Sequence, residues 1–216
     1  MNRLLLPLLL CAVCAAAEPA AAVARLRYER IAGEAVVTGH GTAFAVDLAA
    51  YGREGKRYLL TAAHNVLDDA TRKPYDTLIL ETAKLKWCGV KVLAFNVSLD
   101  LCLLECTEEL PAVLSLADKE AAHNTAIELT GSKRGKPLTV HTGTVVERFE
   151  RGTVRTRAAV AFDHGDSGGP VTAAGAVVGV AVAGIPKDGD LDTNVCLFVP
   201  LIAIRSFLDQ HLRAGK

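Results

Sequence analysis

The hexapeptide Gly165-Asp166-Ser167-Gly168-Gly169-Pro170 sets one hydroxyl among glycines and a proline. Such a run is poor material for a helix or a plain strand and suits a tight turn. A turn of this kind pushes the serine outward and aims backbone N–H groups at one point. Acyl transfer needs both features: a nucleophile, and donors for the oxyanion that forms when it attacks. An unassisted serine hydroxyl is a weak nucleophile, so a base is needed as well. Two upstream segments offer the missing groups. Leu60-Thr61-Ala62-Ala63-His64-Asn65-Val66 follows an apolar run with small residues and a histidine, and Asp100-Leu101-Cys102-Leu103-Leu104 opens an apolar stretch with an aspartate. Imidazole titrates near neutral pH and can take a serine's proton. A carboxylate on the ring's other nitrogen fixes the tautomer and stabilises the imidazolium. Taken singly, each segment also has a plain reading: a glycine-rich turn, a core histidine, a strand-edge carboxylate.

His64, Asp100 and Ser167, in that order and in those contexts, resemble the trypsin-like (chymotrypsin-fold) serine peptidases. The resemblance runs from Gly39-His40-Gly41-Thr42-Ala43-Phe44 to Phe198-Val199-Pro200. Short loops and the Gly-x-Gly-x-x-Phe strand make the chain similar to compact Deg-type bacterial proteases, without the peptide-binding domain those usually carry after the final helix. The resemblance implies an all-β fold of two six-stranded antiparallel barrels, with His64 and Asp100 from the first and Ser167 from the second. It implies Ser167 as nucleophile, His64 as base and Asp100 as its orienting partner. The N–H groups of Gly165 and Ser167 would form the oxyanion hole. The substrate pocket would be lined by Ala161, Phe162, the Val182-Ala183-Gly184 strand and Cys196. None of these carries a charge, and Ala161 stands where an aspartate would select lysine or arginine. Small or medium apolar residues before the cut are therefore expected.

Two departures stand out. Family members often have a serine or threonine where Val182 lies, supporting the buried aspartate. In trypsin the counterpart of Asp166 pairs with a new N-terminus after zymogen cleavage. No Ile-Val-Gly-Gly-like sequence precedes the first barrel here, so Asp166 is expected to bond locally and the enzyme to need no such cleavage. Of the other histidines, His164 has two readings, a residue of the cleft rim or a solvated loop histidine, and the second is the one expected.

Composition fits a globular protein. The chain has 216 residues, 50% of them hydrophobic, which argues against disorder. Lysine plus arginine and aspartate plus glutamate number 24 each, and no basic block offers a nucleic-acid surface. No cysteine–histidine spacing suggests zinc and no glycine-rich loop leads into a phosphate site, so no metal or cofactor is expected. The partners expected are protein or peptide substrates, with the chain itself a monomer.

Arg3, the apolar run Leu4 to Val13 and Ala15-Ala16-Ala17 have the form of a secretory signal peptide, residues 1–17, cut before Glu18. An uncleaved anchor or a lipoprotein site at Cys11 or Cys14 fits less well. The mature protein is expected to be secreted or periplasmic, with no membrane association. Four cysteines remain, Cys88, Cys102, Cys106 and Cys196, which permit two disulfides in three connectivities. Cys88 and Cys106, on successive strands, are the preferred pair; Cys102 suits burial as a free thiol equally well.

The peptidase domain is expected over 24–200. Its first barrel (about 24–106) has strands at Ala35 to Val37, Gly41 to Leu48, Lys56 to Ala62, Thr77 to Leu80, Trp87 to Asn96 and Asp100 to Glu105. A connector follows at about 107–122. The second barrel (about 123–200) has strands at Ala126 to Thr130, Leu138 to Arg148, Thr153 to Ala159, Gly169 to Thr172, Ala176 to Ala183 and Asn194 to Val199. Leu201, Ile204, Phe207, Leu208 and Leu212 recur at helical spacing and predict a C-terminal helix over 201–213. Two function classes remain open: an exported serine endopeptidase, active as made, and a catalytically silent trypsin-fold binding protein. An esterase on small molecules would use the same residues.

Overall fold

The computed structural model describes residues 19–32, 35–55, 57–68, 71–82, 88–149, 155–187 and 190–213. The expected signal peptide lies outside the described residues.

Two closed antiparallel barrels make up the fold. The first holds β1 (Val23–Ala32), β2 (Ala35–Ala45), β3 (Tyr58–Thr61), β4 (Thr77–Glu81), β5 (Cys88–Asn96) and β6 (Leu101–Cys106), in the order β1-β2-β3-β6-β5-β4. The second holds β7 (Ala126–Gly131), β8 (Thr139–Phe149), β9 (Arg155–Ala159), β10 (Pro170–Ala173), β11 (Ala176–Lys187) and β12 (Asp190–Pro200), in the order β10-β11-β12-β9-β8-β7. Closure leaves neither sheet an open edge. Helix α1 (Leu201–Leu212) follows directly.

The first barrel departs from the sequence expectation at its start. Ala35 to Val37 and Gly41 to Ala45 belong to one strand, β2, with Val46 to Leu48 beyond its end, and Val23–Ala32 is a strand of its own. Glycines 39 and 41 are close-approach positions. A side chain at Gly39 would strike the Tyr28 ring, and one at Gly41 would strike Asn65. The preceding strand hides its period because Arg25, Arg27 and Glu29 are only half-buried and lie on the outer face, while Ala24 and Leu26 enter the barrel core.

Successive residues of the central strands point to different cores. In β6, Cys102, Leu104 and Cys106 fill the first barrel, while Leu101 and Leu103 face outward. In β12, Cys196 and Phe198 fill the second barrel, while Val199 faces outward. The outward residues meet in a third cluster, joined by Val180, Val182 and the buried face of α1, including Ile204, Phe207 and Leu208. This period-two division explains why β6 reads as continuously apolar. It also locks the barrels together, which fixes the cleft between them.

Cys88, at the start of β5, is bonded to Cys106, at the end of β6, with Cα atoms 6.7 Å apart. Cys102 and Cys196 are free and buried, and burial raises both thiols well above the usual range.

Candidate active site

His64 sits in a 3-10 turn, Ala63–Asn65, immediately after β3. Asp100 lies in the turn that joins β5 to β6. It does not open the strand as an extended residue: its φ is 55°, in the left-handed region that aspartate tolerates better than most residues. That turn aims its carboxylate back at β3. Oδ1 accepts the backbone N–H of His64 at 3.0 Å, and Oδ2 lies 2.8 Å from His64 Nδ1. Ala63 N–H donates in turn to the Asp100 carbonyl at 3.2 Å. With Nδ1 facing the carboxylate as donor, Nε2 is left as the acceptor nitrogen.

Ser167 lies in the turn before β10 and is buried. Its hydroxyl makes a long 3.4 Å hydrogen bond to the Val182 carbonyl; among the described residues none joins it to His64. Both side chains line one cleft of ≈ 390 Å³ between the barrels.

The nucleophile loop is fastened to the first barrel by residues that the motif alone does not single out. Thr42 N–H and Asn65 Nδ2 both donate to the Ser167 carbonyl, each at 2.8 Å. Thr42 Oγ1 donates to the Gly165 carbonyl at 2.7 Å and accepts Ser132 N–H at 3.0 Å. Gly168 has φ +84°, and a side chain there would collide with Thr42 O and Thr61 Oγ1. Gly165 also has a positive φ, +95°. The His164 carbonyl accepts Arg134 N–H at 2.6 Å. Because a trans peptide sets its C=O and N–H on opposite sides, the Gly165 N–H points away from Arg134's amide. Neither Gly165 N–H nor Ser167 N–H has a backbone acceptor among the described residues.

Asp166 bonds locally, as expected: its Oδ2 accepts Asp163 N–H at 2.9 Å. Its Oδ1 is buried with no hydrogen-bond partner among the described residues, and burial holds the carboxyl above its usual range. Asp163 behaves oppositely. Burial works against its charge, but the His164 N–H (2.7 Å), Lys133 Nζ (3.1 Å) and Arg134 Nε (3.2 Å) outweigh that and hold it below the usual range.

The expected pocket residues are divided. Phe162 and Cys196 are buried in the second barrel core, Val182 lies in the layer between barrels, Ala183 and Gly184 are half-buried, and Ala161 is exposed. Arg155 is a residue with no signal in the sequence. It is half-buried on β9; burial lowers its pKa, while the charge of Asp100 opposes that shift. Asn65 stands beside His64 in the motif and could have been flagged by that adjacency. No cluster of metal-ligating side chains occurs among the described residues.

A family model described as a trypsin-like peptidase domain matches residues 19–180. The chain belongs to the trypsin-like peptidase family. The substrates of this family are peptides or proteins. Solved structures place this trypsin-like peptidase near bacterial serine proteases in fold. The active form of the Rv3671c protease from M. tuberculosis superposes with a TM-score of 0.74 at 18% identity, covering 92% of this chain and 83% of that one. The HtrA-type protease AlgW, solved as a variant with a tripeptide, gives 0.73 at 18% identity, with 91% and 62% covered. A serine endoprotease from Yersinia pestis gives 0.70 at 17% identity, with 92% and 65% covered. The peptidase thus spans less than two thirds of the last two, and at these identities the likeness is one of fold. No curated protein matches the sequence. No helix among the described residues is long and apolar enough to cross a membrane.

Proposed function

We propose that this chain is an exported serine endopeptidase, active without zymogen cleavage, with His64, Asp100 and Ser167 as its triad. The observation that carries the reading is the doubly bonded His64–Asp100 couple, opening on the cleft that also holds Ser167. Ser167 Oγ turns from the Val182 carbonyl to His64 Nε2, a contact of the kind that tightens only when substrate binds. It then attacks the scissile carbonyl while Nε2 takes its proton. Asp100 stabilises the imidazolium. The Gly165 and Ser167 N–H groups receive the oxyanion, each such donor being worth about 10²–10³ in rate. The imidazolium returns the proton to the leaving amine. Water then adds to the acyl-enzyme by the same path, releasing the acid and restoring Ser167. The scheme uses protein groups and water only.

The residue before the cut would lie against Ala161, Phe162, Val182, Ala183, Gly184 and Cys196, and their neutrality supports small or medium apolar side chains. A basic side chain there would be desolvated without a partner. Export rests on the signal-like segment 1–17 and is supported by a disulfide, which persists in oxidising compartments.

Fluorophosphonate labelling of the purified protein, with Ser167→Ala as control, tests the reading. Labelling lost in the variant supports a competent nucleophile and oxyanion hole, and a peptide library would then map the pocket. The Val182 contact of the hydroxyl favours a second reading, a silent binding fold; a folded sample that never labels would put that reading first.

A further inference from the structure

The cleft holding His64 and Ser167 is completed by Tyr28, Gly39, His40, Asn65, Arg134 and His164, together with Gly165. None of these belongs to the wall assigned above to the residue before the cut. On the peptidase reading, this cleft is the place for the leaving half of a peptide.

Its lining contains three imidazoles and one guanidinium, and no carboxylate. Asp100 is bonded to the far nitrogen of His64, and Asp163 stands behind the lining, 3% exposed and already committed. Its Oδ1 accepts His164 N–H, and its Oδ2 is shared by Lys133 Nζ and Arg134 Nε. Two cations therefore share one carboxylate oxygen, and of the two Arg134 is the one that reaches the cleft lining. The Arg134 side chain is 66% exposed and makes its ion pair through Nε, one of five N–H donors of the guanidinium. Its backbone is left-handed (φ 53°, ψ 36°) and is held there by its N–H bond to the His164 carbonyl. The far wall is firm. Tyr28 stacks on Tyr75 with centroids 4.5 Å apart, and its ring fills the space over Gly39.

We propose that this side of the cleft selects a carboxylate on the leaving half of the peptide, with Arg134 as the recognising residue and Asp163 as its positioning residue. The proposal rests on the peptidase reading and names its substrate class. Guanidinium and carboxylate match geometrically as a fork. The carboxylate comes either from an acidic side chain after the cut or from the C-terminus of a short peptide. Because the pair is solvent-exposed, the preference is about fivefold and is screened by salt.

Binding to the Ser167→Ala protein tests this without turnover, so it is independent of whether the wild type hydrolyses anything. Fluorescent peptides share one apolar residue before the scissile bond. They carry after it Glu with an amidated end, Gln with an amidated end, or Gln with a free C-terminus. Anisotropy should show the Glu peptide, the free-acid peptide or both binding about fivefold tighter than the Gln amide, and which one does so identifies the source. The difference should vanish in an Arg134→Asn background, since asparagine removes the charge yet tolerates the left-handed turn. It should also vanish at about 0.5 M salt. If the Asn variant does not fold, the peptide ratio and its salt dependence with Arg134 intact decide alone. Equal binding of the three peptides, no binding of any, or a preference that survives Arg134→Asn would overturn the proposal.

Discussion

Asn65 Nδ2 donates to the carbonyl oxygen of Ser167 at 2.8 Å, across 102 residues of sequence and across the junction of the two barrels. The same amide donates to Thr61 Oγ1 at 3.1 Å. The residue next to His64 therefore holds the backbone of Ser167, and base and nucleophile are placed by one short link. Asn65→Ala should leave Ser167 O with only the Thr42 N–H. A loss of about 0.5–1.5 kcal/mol is expected, the usual net worth of one hydrogen bond where the carbonyl keeps a second donor. Turnover should fall more than substrate affinity. Urea unfolding and a kcat-against-KM comparison check this; an unchanged kcat would show that the link does not position Ser167.

Gly168→Ala should be costly. The position combines φ +84° with contacts to Thr42 O and Thr61 Oγ1 that any Cβ would violate. The expected loss exceeds about 1 kcal/mol, because the native conformation is incompatible with a side chain. A shift of the urea midpoint at constant slope measures it.

Two buried carboxylates should give opposite pH dependences. The Arg30 contact to Asp68 (2.6 Å), aided by Thr71 N–H (2.8 Å), pulls the Asp68 carboxyl down to about 2. An unfolded aspartate titrates at about 3.9. Above that value the contribution is present in full, and it is lost as pH falls through about 2. Asp166 is raised by burial, so the folded state holds its proton more tightly than the unfolded chain does. Its contribution turns unfavourable as pH rises past the unfolded value. Asp68→Asn should therefore destabilise at about pH 7 and much less at low pH, and Asp166→Asn should stabilise at about pH 7 with a gain that shrinks toward about pH 3. Thermal midpoints across that range test both signs.

Reducing the Cys88–Cys106 bond, or replacing both cysteines by serine, should lower stability by about 3 kcal/mol. The bond closes a loop of sequence separation 18 and so restricts the unfolded chain. It lies at the far end of β6 from Asp100, so labelling of Ser167 should survive where the protein remains folded. Loss of labelling in a folded double variant would contradict that separation.

Much of this was readable from the sequence. The second barrel's six strands and the final helix appear where apolar periodicity and turn residues predict them, and the Cys88–Cys106 pair forms as preferred. The first barrel was misread at β1 and β2, because charged residues on one face and close-packing glycines obscure a strand whose partner is not visible in sequence. Asp100 was read as an extended residue opening a strand. Its left-handed turn exists because its carboxylate is tied to His64, 36 residues away.

The types and order of His64, Asp100 and Ser167, and the glycines that must surround the serine, are local properties and were determined by the sequence alone. The placement of Asn65 and Thr42 on the nucleophile loop and the position of Arg134 beside His40 and His164 depend on how the two closed barrels dock. Those were decided by the tertiary structure, because the faces that meet there belong to strands far apart in the chain, and local spacing carries no record of which faces pack together.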